Sequence, residues 1–267
     1  MKIFNVFSCL FIVAFFFVLP AEAEEVMTLD TAYGGKLDII FLKPDNPKAA
    51  VILFPGGRGY LKLDNDRFMR KQKKRFLVGN RAGFMEKGLM VAVVNAPEGI
   101  KDLRRTYRMS DKHSQDIQAV IKFLKTKAKV SIWLVGHSRG TFSAANGAIR
   151  LGDQVNGLVL TSTITKSREK YAIYKTHPNA VLDMSIGNVK VPTLVLANKP
   201  DSCFSSPASN AHKVVKALAG SPAAAVKMYG DKDPGDATCK SGSPHHFANF
   251  HDEVEAAIVA FIEAQTK

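Results

Sequence analysis

The sequence predicts an α/β fold with a mostly parallel central sheet that carries helices on both faces. Short apolar runs alternate along the chain with amphipathic segments, which is the pattern of a parallel sheet covered by helices. Several of these runs are apolar at every position, as strands buried on both faces are. The chain has 267 residues, of which 46% are hydrophobic, and this is enough to build one large core.

The first 23 residues have the composition of a secretory signal peptide. Met1 and Lys2 precede an apolar stretch over residues 6–19, and small residues follow up to Ala23. The apolar stretch is shorter than the ~20 residues that span a bilayer, so an uncleaved anchor is the less favoured alternative. We therefore expect cleavage after Ala23, a periplasmic or secreted protein, one domain over residues 24–267, and no stable membrane span in it.

The first half of the predicted domain contains three strands and two helical segments. Strands are predicted at 38–42 and 49–54, the second because it is continuously apolar, and a further strand at 90–94 because it is rich in valine. A helical pattern, weakened by two glycines, covers 68–87. Residues 111–127 carry apolar side chains at i, i+3, i+4 and i+7, which predicts a helix packed on one face.

The second half repeats this alternation. Apolar runs predict strands at 130–135, 157–160, 193–197 and 225–229. Helices are predicted over 141–148, where small residues follow a tight turn, over 206–218, and over 252–264 at the end of the chain.

The tight turn between strand 130–135 and helix 141–148 reads Gly136-His137-Ser138-Arg139-Gly140. This is a G-x-S-x-G nucleophile elbow in its strand-turn-helix context. Side chains at the two glycines would collide with the neighbouring strand and helix, and the serine is expected at a strained backbone angle with its hydroxyl exposed. Ser138 is therefore the candidate nucleophile, and a plain tight turn is the alternative.

A serine hydroxyl needs a base that takes its proton and an acid that orients the base. In this architecture the acid follows the serine in the chain, at the carboxyl end of a late strand. Asp201 follows strand 193–197 and is the preferred acid. Its rivals are Asp231, Asp233 and Asp236 in the loop after the last strand, where aspartates commonly form turns.

Seven histidines compete for the role of base, and three of them follow every candidate acid. His245 and His246 share one loop, and residue chemistry alone does not separate them. His251 begins the final helix and is expected to be a helix-end residue, while the side chain of His137 is expected to point away from Ser138. The remaining three are expected on solvated surfaces: His113, His177 and His212.

Acyl transfer also requires donors for the oxygen that becomes negative, each commonly worth ~3 kcal/mol. The backbone N–H of Arg139 is one candidate. The glycine-rich loop at 55–59 offers the second, with Gly57 preferred and Gly56 as the alternative. A plain turn or a phosphate-binding loop are the other interpretations of 55–59, although the G-K-[ST] ending of a nucleotide loop is missing.

Export would place Cys203 and Cys239 in an oxidising compartment, which favours a disulfide between them over two free thiols. Two cysteines without further spaced ligands do not complete a zinc site.

The net charge of +13 favours contact with anionic surfaces. A solvated helix face is the simpler interpretation of the densest basic run, and contact with an anionic surface is the alternative. No motif for nucleic acid accompanies this run. Arg58 and Arg139, beside the predicted site, allow the same two interpretations: solvated arginines, or recognition of a negatively charged acyl or leaving group. The basic run consists of Arg67, Arg70, Lys71, Lys73, Lys74 and Arg75.

Together, the 54–57 loop, the elbow, Asp201 and His245 resemble the α/β-hydrolase fold family over nearly the whole domain. Small exported hydrolases of this family have one cysteine beside the acid and a second before a His-Gly-Phe segment, as Cys203 and Cys239 stand here. If Phe247 matches the phenylalanine of that segment, the resemblance implies that His245 is the base and that His246 replaces the glycine. The resemblance implies a serine hydrolase acting on a small-molecule ester or acyl substrate, without metal or organic cofactor.

About 30 residues separate strands 157–160 and 193–197, too few for a large lid. An esterase with an open cleft is therefore expected rather than a lipase. A serine peptidase or amidase with the same three residues is one alternative. A non-catalytic module that binds an anionic envelope component is the other.

Overall fold

The computed structural model describes residues 24–63, 72, 74–231 and 238–266. The predicted signal peptide lies outside this part of the chain. So do Arg67, Arg70, Lys71 and Lys73 of the basic run, and the alternative acids Asp233 and Asp236.

The described residues form an eight-stranded sheet in the order β1-β2-β4-β3-β5-β6-β7-β8. Strand β2 runs antiparallel to both of its neighbours, and all pairs from β4 to β8 are parallel. The predicted fold class is therefore confirmed. The strands are β1 (Glu25–Asp30), β2 (Lys36–Leu42), β3 (Ala49–Phe54), β4 (Leu89–Val94), β5 (Ser131–His137), β6 (Gly157–Thr161), β7 (Thr193–Asn198) and β8 (Ala224–Tyr229).

Helices cover both faces of this sheet. Two of the longer ones agree closely with the sequence: α4 (Asp111–Lys127) has the predicted bounds, and α7 (His251–Gln265) exceeds the predicted 252–264 by one residue at each end. The side chain of Ser110, the N-cap of α4, accepts a hydrogen bond from the backbone N–H of His113. In the described part of the chain the α-helices are α1 (Phe76–Gly79), α2 (Arg81–Glu86), α3 (Arg105–Arg108), α4 (Asp111–Lys127), α5 (Gly140–Arg150), α6 (Ala211–Ala217) and α7 (His251–Gln265).

Strand β3 shows how a continuously apolar run serves two cores. Its alternate residues Ile52 and Phe54 belong to the core on the side of α4, α5 and α6, whereas Val51 and Leu53 face the core beneath α1, α2 and α7. All six residues of β3 are buried. Because successive side chains of a strand point to opposite faces, only a run without polar residues fits between two helical layers.

Three features differ from the sequence predictions. Strand β1 was not predicted, since its burial is only partial and its composition is mixed. The helix predicted over 68–87 is broken in its described part into α1 and α2 at Asn80. His113, expected on a solvated surface, is fully buried, and its Nδ1 lies 3.3 Å from the carboxylate of Asp116.

The segment between β6 and β7 contains three short 3-10 helices and no longer helix. This agrees with the expected absence of a large lid. Among the described residues, no helix has both the length and the apolar character needed to cross a bilayer.

Candidate active site

The elbow places Ser138 at the carboxyl edge of the sheet, between β5 and α5. Ser138 has a positive φ of 52°, a conformation that L-residues rarely adopt. A Cβ on Gly140 would lie 1.9 Å from the carbonyl oxygen of Phe54, and one on Gly136 would lie 2.6 Å from the carbonyl oxygen of Gly140. Only glycine at these two positions lets α5 start this close to β3 and β5, so the local sequence dictates where the serine stands.

Three side chains from distant parts of the chain form one hydrogen-bonded line. The Ser138 hydroxyl lies 2.8 Å from Nε2 of His245, and Nδ1 of His245 lies 2.9 Å from Oδ2 of Asp201. This geometry fits the tautomer in which Nδ1–H donates to the carboxylate and Nε2 accepts from the hydroxyl. All three residues are buried, including Ser138, whose hydroxyl was expected to be exposed; Ser138 instead lines a pocket.

Asp201 is held by more than the imidazole. Its Oδ1 accepts a hydrogen bond from the backbone N–H of Cys203 at 2.9 Å, and its Oδ2 accepts one from the Ser206 hydroxyl at 3.0 Å. The Ser206 oxygen also lies 3.0 Å from Nδ1 of His245. Ser206 therefore contacts both the acid and the base, and the sequence analysis did not identify it.

Nothing in the sequence distinguishes Ser206 from the other serines near it. The loop after β7 folds back on itself, with the N–H of Ser206 donating to the carbonyl of Cys203, and this turn brings the hydroxyl to the carboxylate. Contacts of this kind depend on the path of a loop, which residue composition does not predict.

The structure separates the two neighbouring histidines. Both belong to a short 3-10 helix, Pro244–His246. Two hydrogen bonds hold its backbone at the sheet edge: the Ser162 hydroxyl donates to the carbonyl of His245, and the Asn198 side-chain amide donates to the carbonyl of Pro244. This anchoring directs the His245 ring to Ser138.

His246 points elsewhere. Its Nδ1 accepts a hydrogen bond from the backbone N–H of Phe76, and its ring lies 4.5 Å from that of His137, centroid to centroid. Burial lowers the pKa of His246 to about 3, with the nearby His245 and Arg75 acting in the same direction. It is therefore neutral at physiological pH and lines the site without contacting the serine hydroxyl.

His137 is also buried, and burial, assisted by His246 and His245, lowers its pKa well below the ordinary value. Its Nδ1 lies 3.0 Å from the Thr161 hydroxyl, so this nitrogen is turned to β6 rather than to Ser138.

The glycine-rich loop after β3 borders Ser138 directly. A Cβ on Gly56 would lie 2.9 Å from Cβ of Ser138, and Gly57 has a φ of 63°. Arg139 is the N-cap residue of α5, where the backbone N–H groups have no partner inside the helix. The loop and the helix start that are predicted to supply the two oxyanion donors thus both adjoin Ser138.

Arg108 fixes this loop in place. It is fully buried and donates to the carbonyl oxygens of Pro55 and Leu103, at 3.2 and 3.1 Å, and to the Ser143 hydroxyl at 2.9 Å. Burial, followed by the charge of Arg139, lowers its pKa to about 9. Sequence reasoning missed this residue, since a buried arginine looks in sequence like any surface arginine.

The remaining candidate acids and bases that the structure describes are not part of the hydrogen-bonded line from Ser138 to Asp201. Asp231 is exposed, and among the three rivals of Asp201 it is the one that the structure describes. His251 is the first residue of α7, where it was expected, and donates from Nε2 to the carbonyl of His246 at 2.8 Å. His212 is exposed and His177 partly so.

Cys203 and Cys239 form a disulfide with a Cα–Cα distance of 4.9 Å. The bridge ties the loop that carries Asp201 to the segment before His245, and both cysteines line the site.

Two groups of side chains have metal-ligand composition. His137, His245 and His246 present ring nitrogens within 4.8 Å of one another, and so do ligand atoms of Asp201, Cys203 and His245. A metal on His245 Nε2 would replace its hydrogen bond to Ser138, and the sulfur of Cys203 is already bonded to Cys239. In each group, at least one potential metal ligand is therefore already engaged, either in the hydrogen bond to Ser138 or in the disulfide.

Ser138 opens into a pocket of about 900 Å³. Its walls come from the 56–57 loop, from residues 102–106, from the segment between β6 and β7, and from the loops that carry the two cysteines. A pocket of this size accommodates a small organic molecule.

Known structures resemble the chain over nearly its whole length. The Pyrococcus furiosus esterase Pf2001 is 16% identical, with a TM-score of 0.60 over 92% of this chain and 94% of that one. A thermostable carboxyl esterase from Bacillus coagulans, solved in complex with glycerol, is 15% identical, with a TM-score of 0.60 over 92% of this chain and 99% of that one. An α/β serine hydrolase without lid from Xanthomonas campestris is 15% identical, with a TM-score of 0.56 over 93% of this chain and 97% of that one.

The chain has the α/β-hydrolase fold. The fold that the resemblance implied is thereby confirmed. The model of the family described as "Serine aminopeptidase, S33" matches residues 99–229 of this chain, a range that contains Ser138 and Asp201 but ends before His245. No curated protein matches the sequence.

Proposed function

We propose that the protein is an exported serine hydrolase that cleaves carboxylic esters through an acyl-enzyme. The observation that carries this proposal is the hydrogen-bonded line from Ser138 through His245 to Asp201, at 2.8 and 2.9 Å, in the wall of a 900 Å³ pocket. These residue types in this order are those that acyl transfer requires.

In the first half of the reaction, Ser138 Oγ attacks the ester carbonyl carbon while Nε2 of His245 takes the hydroxyl proton. The carbonyl oxygen becomes negative and is stabilised by the backbone N–H groups of Gly57 and Arg139. The tetrahedral intermediate then collapses, the bond to the alcohol oxygen breaks, and His245 returns its proton to the departing alcohol. Asp201 holds the imidazole in the reactive tautomer and stabilises its positive charge.

In the second half, a water molecule attacks the acyl-enzyme carbonyl as His245 takes one of its protons. Collapse of the second tetrahedral intermediate releases the carboxylic acid, and the proton goes back to Ser138 Oγ. The cycle consumes one ester and one water and regenerates the hydroxyl, so the chain's own residues account for every proton that moves.

A serine aminopeptidase is the second candidate, because the matching family model carries that description. The pocket argues against it. An aminopeptidase must bind a peptide's terminal ammonium group, for which acidic side chains are suited. Among the described residues that line the pocket, Asp102 is the acidic one, whereas six lysine and arginine side chains line the same pocket. Esterase neighbours and this charge both favour ester substrates.

Export is supported by the residues at 1–23 and by the disulfide, since disulfides persist in oxidising compartments such as the periplasm and the extracellular space. The intact mass of the exported protein tests it. We expect a chain that begins at Glu24, and a chain that retains residues 1–23 would contradict the cleavage.

A fluorophosphonate probe tests the nucleophile. We expect wild-type protein to be labelled stoichiometrically, because the probe phosphonylates a serine activated by a histidine. Ser138→Ala should abolish labelling and ester hydrolysis, while Ser241→Ala, which removes an exposed hydroxyl from the same pocket, should keep both. Folded wild-type protein that the probe does not label would instead favour the non-catalytic binding module.

A further inference from the structure

The pocket around Ser138 is lined by an excess of positive charge. Six cationic side chains face one carboxylate, that of Asp102, among the described lining residues. A random surface of this protein would carry more acids, because the whole chain has 37 lysines and arginines and 24 acidic residues. The cations are Arg75, Arg104, Arg105, Arg139, Arg168 and Lys240.

Arg75 lies beside the predicted oxyanion loop. A Cβ on Gly57 would lie 3.3 Å from Nη1 of Arg75, which places the guanidinium against that glycine. Arg75 is half-buried, and within the described part of the chain no carboxylate forms an ion pair with it. A guanidinium has five N–H donors, so Arg75 has free hydrogen-bonding capacity beside Gly57 in the pocket lining.

Arg105 and Arg139 extend this charge across the pocket. The guanidinium of Arg105 lies 5.0 Å above the centre of the Tyr171 ring, and its buried Nε has no hydrogen-bond partner among the described residues. Arg139 contacts Asp102 at 3.6 Å, but the same carboxylate also lies 4.0 Å from Arg58. The carboxylate of Asp102 is thus shared by Arg58 and Arg139, and the Nε–H of Arg105 remains available as a hydrogen-bond donor.

The positive charge of Arg139 also disfavours the charged forms of Arg75 and Arg105. Burial, and after it the charge of Arg139, lowers the pKa of Arg75 and of Arg105 below the ordinary value. All three remain protonated at neutral pH, because arginine does not lose its proton there. Holding them together without an anion costs free energy that a bound anion would recover.

We propose that this pocket selects ester substrates that carry an anionic group near the scissile bond, which Arg75, Arg105 and Arg139 bind. The planar guanidinium groups suit a carboxylate, a phosphate or a sulfonate, whose oxygens accept paired hydrogen bonds. The exposed Arg168 and Lys240 extend the positive potential to the rim and attract the substrate from solution. This inference rests on the proposed function, since it assigns a substrate class to the same serine.

Paired substrates measure the preference. For the acyl side, mono-4-nitrophenyl glutarate is compared with 4-nitrophenyl pentanoate; for the leaving group, the butyrate ester of 4-hydroxybenzenesulfonate is compared with phenyl butyrate. Each kcat/KM is divided by the rate constant for hydroxide-catalysed hydrolysis of the same ester. We expect the anionic ester of at least one pair to exceed its neutral partner about tenfold or more, as a charge-assisted hydrogen bond does. The pair that shows it locates the anion subsite.

Variants connect the preference to the arginines. Arg75→Gln and Arg105→Gln should each lower the ratio of anionic to neutral kcat/KM about tenfold, and Arg75→Lys, which keeps the charge but loses the planar fork, should lower it less. Arg150→Gln is the matched control, since it removes one positive charge at the end of α5, away from the pocket, and should leave the ratio unchanged. If a glutamine variant does not fold, the wild-type ratio is followed against salt and should fall as ionic strength rises.

Two failures are distinguishable. Wild-type protein that the fluorophosphonate labels, and that hydrolyses neutral and anionic esters of both pairs equally well, would overturn the anion subsite and leave the serine hydrolase intact. The same holds for a preference that Arg150→Gln reduces as much as Arg75→Gln does. Absence of both labelling and hydrolysis would overturn the proposed function itself.

Discussion

Three histidines in the interior are neutral at physiological pH because the fold removes them from water. Burial is the leading cause that lowers the pKa of His113, His137 and His246, and for His246 the value is about 3. In an unfolded chain each would titrate near pH 6.5. Below that pH the unfolded chain therefore binds protons that the native protein does not.

This difference predicts acid sensitivity. Stability rises with pH wherever the unfolded state binds more protons, so here it is lost as pH falls below about 6.5, by at most about 1.4 kcal/mol per pH unit for each histidine. For His246 the loss continues down to its folded pKa of about 3. Between pH 6.5 and 5, His246 alone should account for about 2 kcal/mol. Urea unfolding at pH 7.5 and pH 5 measures the loss.

His246→Gln keeps an acceptor for the Phe76 N–H and removes the titrating group, so the loss between pH 7.5 and pH 5 should shrink by about that amount. His212→Gln alters an exposed histidine and should leave it unchanged. Equal wild-type stability at both pH values would contradict the explanation.

At the scale of the elements, the contact between β3 and α5 determines where the elbow stands. The first residue of α5, Gly140, lies against the backbone carbonyl of Phe54, so a methyl group there meets backbone rather than a movable side chain. We expect Gly140→Ala to lower the free energy of unfolding by about 3 kcal/mol or more, because overpacking that backbone cannot relieve lies at the upper end of its usual cost.

Chemical denaturation of Gly140→Ala and Gly35→Ala makes the comparison direct. At Gly35 a Cβ would meet only the Thr31 hydroxyl, at an ordinary 3.5 Å, so that substitution should be nearly neutral. Equal stability of the two variants would show that α5 can move away from β3 without loss.

At the scale of the whole molecule, the disulfide joins two loops that contribute different members of the hydrogen-bonded line. Cys203 and Cys239 are 36 residues apart, and a loop of that length is stabilised by roughly 4 kcal/mol in the chain-entropy model. Cys203 also donates its backbone N–H to Asp201, so the bridge contributes to the position of the acid.

Replacing both cysteines by alanine should lower the free energy of unfolding by about 4 kcal/mol and also reduce kcat. Alkylation followed by mass spectrometry supplies the chemical check: native protein should take up label at Cys203 and Cys239 only after reduction. Two thiols that react without a reductant, or an alanine pair with wild-type stability, would refute the structural role.

The order of elements followed from the sequence because hydrophobic periodicity is a local property. A continuously apolar run such as Ala49–Phe54 has few alternatives to a strand covered on both faces, and the stripe over Asp111–Lys127 matches one helical face. Strand β1 escaped prediction because an edge strand buries little and needs no such pattern. His113 escaped because its burial depends on what packs over α4.

The sequence by itself determined the α/β fold, the elbow that carries Ser138, and the loop positions of the other candidate residues, since glycine spacing and apolar runs act through neighbouring residues. Only the tertiary structure decided which of His245 and His246 lies beside Ser138, placed Ser206 against the carboxylate of Asp201, and gathered arginines from separate loops into one pocket. These outcomes depend on distances between segments far apart in the chain, which are set when the loops pack at the carboxyl edge of the sheet.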